Sequence, residues 1–540
     1  MDVDVVVVGS GAAGMTAALA AARRGLSAVV IEKAAVFGGT TARSGGGIWI
    51  PGNSVLRRAG VVDTAQAASE YLAYVAPEVP AGRRAAFLRH GPEMLDFVLA
   101  NTPLRLMWVP SYADYYPEAP GGVPGGRSLE PIPIDGRILG AELARLAPPY
   151  LPAPAGVVVT QANYRWLSLG PRHPRAVLAA AQVAGRVLRA RVLRQRLLGL
   201  GLALAAGLRA GLLTADVPVL LETSLTGLLT ADDGRVTGVQ VSGAQTGDES
   251  ITARRGVVLA SGGFERNEAM RHRYQREPIG ADWTTGAPGN TGDGIVAGTE
   301  TGAALDLMDD AWWGPAIPLP GGPFFCLAER SLPGCVLVNS AGQRFVNECA
   351  PYVDAVHAMY DTDSIPAWLV FDQRYRDRYV FAGLPPHRPL PKRWYAAGAV
   401  FRASTLPELA GLINVDETGL TKTVARFGEF AASGTDPDFD RGASAYDRYY
   451  GDPRVRPNPN LAALSKPPFY AAKIVPGDLG TKGGLVTDER ARVLRGDGTP
   501  IEGLYAAGNV SAAVMGHSYA GAGATIGPAM TFGYIAAMDL

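Results

Sequence analysis

The stretch Val5-Val6-Val7-Val8-Gly9-Ser10-Gly11-Ala12-Ala13-Gly14 opens the chain's fold. Four β-branched residues in a row read as a strand buried on both faces, as in a parallel sheet. Glycines at 9, 11 and 14 follow at once, in the spacing G-x-G-x-x-G. An Ala-rich run from Ala17 to Arg24 reads as a helix ended by Gly25, and Ala28 to Ile31 reads as a second strand ended by Glu32. Strand, glycine turn, helix, strand and acid together spell a dinucleotide-binding unit. Gly9 permits the tight turn, Gly11 lets the backbone approach a pyrophosphate, and Gly14 lets helix and strand pack closely. Ser10, Ala12 and Ala13 lie in the same turn, where the helix N-terminus faces negative charge. Glu32 is placed to accept from ribose hydroxyls, and Lys33 adjoins it.

This motif alone does not separate FAD from NAD. The next segment favours FAD. Gly38-Gly39-Thr40-Thr41-Ala42-Arg43-Ser44-Gly45-Gly46-Gly47 is small and Gly-rich. A loop of that kind offers many backbone N–H groups to a large flat cofactor. Two later segments look like returns to the same nucleotide fold. Gly256 to Ala260 is an apolar strand running into Ser261-Gly262-Gly263, and Gly503 to Ala507 is another running into Gly508-Asn509. Thr525 and Ile526 open a closing helix that extends to Met538. The expected fold class is therefore α/β. A Rossmann-like FAD-binding domain would be assembled from residues 1–304 and 477–540, with an inserted α+β catalytic domain at 305–476.

Composition bounds the rest. The 540 residues are 47% apolar and 19% charged, which is globular usage. Lys+Arg and Asp+Glu are 50 each, and a chain without basic excess is a poor nucleic-acid binder. Cys326, Cys335 and Cys349 are too few for a disulfide framework and form no C-x-x-C pair, so a reducing, cytoplasmic setting is expected. No metal site is expected. Met1-Asp2-Val3-Asp4 runs into the first strand without a basic segment, so no secretory leader is expected. Residues 143–215 carry ten Arg and no Lys or acid among many Leu and Ala. That segment is either a basic surface for an anionic membrane or a helical insert whose arginines pair with acids elsewhere.

The chemistry is sought near the end of the chain. His517-Ser518-Tyr519-Ala520-Gly521-Ala522-Gly523-Ala524-Thr525 lies between the last nucleotide-fold strand and the last helix. Tyr519 offers an O–H donor and Gly523 a bare backbone N–H. Two such convergent donors can hold a carbonyl oxygen as it gains negative charge.

With these residues in view, the chain resembles the 3-ketosteroid Δ1-dehydrogenases, within the larger flavoprotein group that includes soluble fumarate reductases. The carriers are Asp114-Tyr115-Tyr116, Ala350-Pro351-Tyr352, the run Asp478-Leu479-Gly480-Thr481-Lys482-Gly483-Gly484, and Tyr519 to Gly523. The resemblance implies noncovalent FAD, a 3-oxosteroid substrate and an external electron acceptor other than NAD, for which a quinone is suited. It implies that Tyr519 and Gly523 bind the carbon-3 carbonyl, that Tyr352 is the base for the carbon-2 proton, and that Tyr115 assists Tyr352. Hydride would pass from carbon 1 to the flavin N5 in a trans elimination. Tyr116 adjoins Tyr115 and could exchange roles with it. The family commonly has Pro or Gly where this chain has Ala520 and Ala522, which leaves the loop's geometry open. Two other activities stay in view: steroid dehydrogenation at another ring position, and a fumarate-reductase-like reduction.

Overall fold

The computed structural model describes residues 1–150, 156–243 and 247–540. The elements that position the site are, in chain order, β1 (Asp2–Val8), α1 (Ala12–Arg23), β2 (Ala28–Ile31), α2 (Gly39–Arg43), α3 (Ala81–Asn101), α4 (Pro174–Val192), α5 (Leu200–Thr214), β3 (Gly247–Leu259), β4 (Ala311–Ile317), α6 (Tyr352–Asp361), β5 (Ala367–Asp372), β6 (Phe469–Thr481), β7 (Pro500–Ala506) and α7 (Ile526–Asp539).

An eight-stranded sheet carries the nucleotide unit. β1 lies at its centre, parallel to β2 on one side and to β3 on the other, and β3 is parallel to β7. Val5, Val6 and Val7 are fully buried, as a strand covered on both faces requires. The helix begins at Ala12, five residues ahead of its expected start. Small residues make this placement work: α1 packs on both α7 and α5, and a Cβ at Gly14 would overlap the Gly9 carbonyl oxygen. The expected loop at 38–47 contains the one-turn helix α2, seated against α5.

A second, six-stranded antiparallel sheet holds β4, β6 and β5, with Phe324–Phe325 and Cys335–Val338 at its ends. β6 runs unbroken through position 477, so one strand reaches from this sheet into the glycine run of 480–484. At its end the Thr481 hydroxyl accepts from the Phe264 N–H at 3.1 Å, in the turn after β3, which ties the two sheets together near the site.

The Arg-rich segment divides into unlike parts, and its residues 151–155 lie outside the described residues. α5 is core and not outer surface: Leu204, Ala205, Leu208 and Leu212 are fully buried, and Arg209 pairs with Glu142 at 2.9 Å. α4 is peripheral. Its inner face is Ala176, Ala179, Val183 and Ala190, and its outer face exposes Val177, Leu178, Leu188 and Val192 beside Arg175, Arg189 and Arg191. Only Arg145 and Arg209 of the described segment join ion pairs, both with Glu142. No described helix is long and apolar enough to cross a membrane.

Candidate active site

The nucleotide cradle forms where the parallel strands end, the usual ligand crevice of such sheets. Gly9 turns the chain at φ 106°, where a side chain would strike the Ala260 carbonyl. Gly11 caps α1 without a side chain. Ala12 donates to the Thr41 hydroxyl at 2.9 Å. No described acceptor takes the N–H groups of Ala13 or Gly14. Two free amides at an uncapped helix N-terminus are what a pyrophosphate needs. The buried Ser261 hydroxyl, beside the same turn, also lacks a partner. These residues fit FAD on their own chemistry.

Glu32 ends β2 with its carboxylate fixed. It accepts from the Ser10 N–H at 3.1 Å, the Ser10 hydroxyl at 2.6 Å and the Ala34 N–H at 3.0 Å. Lys33 is turned sideways instead, to Thr291 and Asp293 at 2.6 Å each. Thr40 accepts from the Ala287 N–H and the Asn290 amide, at 3.0 Å each. Ser44 donates to the Thr41 carbonyl and accepts from the Gly46 N–H, which shapes the turn after α2. Gly39 opens α2, while Gly45 and Gly47 lie against Gln161. Gly262 backs onto Asn290, and Gly508 approaches Ala13. Asn509 accepts from the Trp312 indole at 3.1 Å. Thr525 is the N-cap of α7, and Ile526 is its first residue.

The chemistry-bearing tyrosines come from three distant parts of the chain and meet in one cluster. The rings of Tyr115, Tyr352 and Tyr519 form a triangle with 5.2 Å between each pair of centroids. All three are buried. Tyr115 donates to the Tyr352 hydroxyl at 2.8 Å. Tyr116 points elsewhere and donates to Asp354 at 2.8 Å. Tyr115, and not Tyr116, is therefore the tyrosine in contact with Tyr352.

The loops of Tyr115 and Tyr519 are fastened from behind. Asp114 forms a buried ion pair with Arg127 and accepts from the Trp49 indole. The Tyr115 N–H donates to the Ala520 carbonyl at 3.1 Å, which binds its loop to that of Tyr519. Lys482, fully buried, pairs with Asp310 at 3.0 Å and donates to the Ser518 carbonyl at 2.9 Å. In the Tyr519 loop the positive φ falls on Gly523 at 98°, and a Cβ there would overlap Gly47 and Ile48. Ala522 avoids positive φ, as its side chain demands.

Burial pushes the Tyr352 hydroxyl well above the usual tyrosine value, and the Tyr115 hydrogen bond opposes that rise. Burial also raises Tyr115 and Tyr519. For Tyr519, hydrogen bonds with Thr525, Tyr352 and the Gly523 backbone act in the lowering direction. The Tyr519 and Thr525 hydroxyls are 2.8 Å apart.

Sequence reasoning missed several neighbours. Tyr446 packs on Tyr115 at 4.7 Å, and Trp312 meets Tyr519 edge-on at 4.9 Å. Thr525, at the start of the closing helix, also contacts Tyr519. Nothing in local spacing marks Tyr446 or Trp312, because only the tertiary fold brings them in.

Comparison with known proteins identifies the family. The model of the FAD binding domain family matches residues 4–526. The 3-oxosteroid 1-dehydrogenase of Mycobacterium tuberculosis is 57% identical, over 99% of this chain and 98% of that protein. The 4-oxocyclohexanecarboxylate 2-dehydrogenase of Sinomonas cyclohexanicum is 39% identical, over 99% and 92%. The crystal structure of 3-ketosteroid Δ1-dehydrogenase from Sterolibacterium denitrificans, in complex with 1,4-androstadiene-3,17-dione, superposes with a TM-score of 0.94 at 43% identity, covering 100% of this chain and 99% of that one. With its cradle for FAD and its buried tyrosine triangle, the chain belongs to the FAD-binding-domain flavoproteins and, among them, to the 3-oxosteroid 1-dehydrogenase family.

Proposed function

We propose that this flavoenzyme introduces the double bond between carbons 1 and 2 of 3-oxosteroids. The observation that carries the reading is the tyrosine triangle with its Tyr115-to-Tyr352 hydrogen bond. The Tyr519 O–H and the Gly523 N–H bind the carbon-3 carbonyl oxygen and stabilise the negative charge it gains. That charge makes the carbon-2 hydrogens acidic, and Tyr352 takes one of them. Tyr115 donates to the Tyr352 oxygen and so favours its phenolate. Bound FAD supplies the two-electron acceptor for the hydride that leaves carbon 1. Aromatic residues, Trp312 and Phe325, wall the cluster and suit an apolar ring system. A dicarboxylate would instead call for free cationic clamps, whereas the buried cations beside the cluster are engaged, Lys482 by Asp310 and Arg330 by the Glu348 and Ala350 carbonyls.

Anaerobic mixing of the purified yellow protein with a 3-oxo-4-ene steroid tests this reading. Bleaching of the flavin absorbance, with formation of the 1-ene product, is the expected result. A flavin that stays oxidised would overturn it. Recovery of the colour on adding a quinone would identify that class as acceptor.

Residues along β1 to α2 and at the ends of β3 and β7 hold the FAD in this reading, with Glu32 at the adenosine ribose. Glu32→Ala should weaken FAD binding by roughly 5–150-fold, the equivalent of about 1–3 kcal/mol for stranded buried hydroxyls. Titration of the apoprotein with FAD measures this, and wild-type affinity would refute the ribose assignment.

We also propose that the outer face of α4 docks on anionic membrane, where an apolar steroid partitions. Its exposed Val177, Leu178, Leu188 and Val192 lie beside exposed arginines. Each arginine near such a surface contributes about 1 kcal/mol. Flotation at low salt should recover the protein with anionic but not neutral vesicles. Equal recovery with both would refute it.

A further inference from the structure

Arg330 stands out among the buried cations near the tyrosines. It is 2% exposed. Its Nη1 donates to the Glu348 carbonyl at 2.5 Å and the Ala350 carbonyl at 2.7 Å, and its Nε donates to the Cys326 carbonyl at 3.3 Å. Every described partner is thus a backbone carbonyl. The neighbouring buried cations are neutralised differently: Arg127 by Asp63 and Asp114, Lys482 by Asp310, and Arg344 and Arg441 by Glu348. A buried guanidinium without a carboxylate is costly, and its field acts on whatever lies near.

What lies near is the base. Ala350 and Pro351 lead directly into Tyr352, the first residue of α6. The groups that face Tyr352 are Tyr112 and Tyr115 from one loop, Tyr519 from the C-terminal loop and Tyr446 from the helix Ala445–Tyr449. Arg330 acts in the lowering direction on Tyr112 and Tyr446, and on Asp354 within α6. Asp354 also faces Tyr116, His357 and Lys482. Glu329, beside Arg330, is pushed up to about 7 by burial, so it does not fully cancel the charge at neutral pH.

We propose that Arg330 is a positioning residue for the base: it holds the carbonyl two residues ahead of Tyr352 and places positive charge behind the cluster in which the Tyr115–Tyr352 pair gives up its proton. This rests on Tyr352 being the base. Arg330→Gln keeps amide donors for the carbonyls but removes the charge, and Arg330→Lys keeps the charge but loses the fork. FAD content and melting temperature establish that each variant is folded. In Arg330→Gln the limb of kcat/KM that rises with pH should move up by about one pH unit or more, with about a tenfold loss at neutral pH. In Arg330→Lys the limb should stay within about half a unit of wild type while kcat falls. Placed in a Tyr352→Phe background, Arg330→Gln should change residual turnover by less than about twofold, because the two act through one step. A limb in Arg330→Gln that coincides with wild type, or an equal loss in both backgrounds, would overturn the proposal. Should Arg330→Gln not fold, a limb displaced by a unit in Arg330→Lys would overturn it as well. Near-wild-type turnover in Tyr352→Phe alone would instead overturn the base assignment, so the two failures are told apart.

Discussion

Tyr352→Phe should yield a folded, yellow protein whose turnover is lower by about 10²–10⁴. The substitution removes one hydroxyl and keeps the ring, which packs edge-on against Tyr115 and Phe325 at 5.2 Å each. The carbon-2 proton then has no acceptor in the cluster. Tyr115 loses the oxygen to which it donates, a loss of about 1 kcal/mol that leaves the fold intact. The pH dependence sharpens the test. Burial raises the Tyr352 hydroxyl well above its ordinary value, so the reactive phenolate is scarce at neutral pH and grows as pH rises. Wild-type kcat/KM should therefore climb with pH into the alkaline range, and the residual activity of Tyr352→Phe should lose that climb. Turnover within about threefold of wild type, or an unchanged pH limb, would show that another group takes the proton.

The contrast between β1 and Tyr352 shows what kind of information the chain carries locally. Val5 to Val8, the three glycines and Glu32 are neighbours in sequence, and their spacing alone implies a strand, a turn and a helix. The same holds for Gly508 and Asn509 after the last parallel strand. Boundaries were less legible. α1 starts at Ala12 because its first turn is built of small residues that pack on α7, a tertiary demand. α2 was hidden because five helical residues leave no periodic pattern. α5 reads as basic and Leu-rich, yet its one arginine inside the core is matched by Glu142, which lies outside the basic stretch. The tyrosines are the extreme case. Tyr115 and Tyr352 are 237 positions apart, and nothing in the local pattern of either sets it apart from 18 other tyrosines. Family resemblance pointed to them, and geometry then separated Tyr115 from Tyr116 by a single hydrogen bond. Arg330 was invisible for the same reason: a buried arginine among carbonyls has no sequence signature.

Tyr519→Phe should lower turnover by about 10²–10³, the usual cost of one oxyanion donor. Its ring would stay in place, because Trp312 at 4.9 Å and the two partner tyrosines at 5.2 Å hold it by shape. FAD content should be unchanged. The loss should fall on the step that makes the carbon-2 hydrogen acidic, so exchange of that hydrogen with deuterated solvent should slow in parallel with flavin bleaching. Thr525 decides where in the range the value falls. Its hydroxyl is 2.8 Å from that of Tyr519, and either can be the donor. If Thr525 donates to Tyr519, the Tyr519 hydrogen is free for the substrate, and the variant leaves the Thr525 hydrogen in its place. The loss then lies near the lower figure, and adding Thr525→Ala should deepen it. If Tyr519 donates to Thr525, the substrate carbonyl must displace Thr525, and the second substitution should add little. The Gly523 N–H, the proposed second donor, is untouched in every variant, and its φ of 98° and its packing on Gly47 and Ile48 exclude a side chain. Turnover of Tyr519→Phe within about threefold of wild type would remove Tyr519 from the carbonyl site and leave the Gly523 amide to act without it.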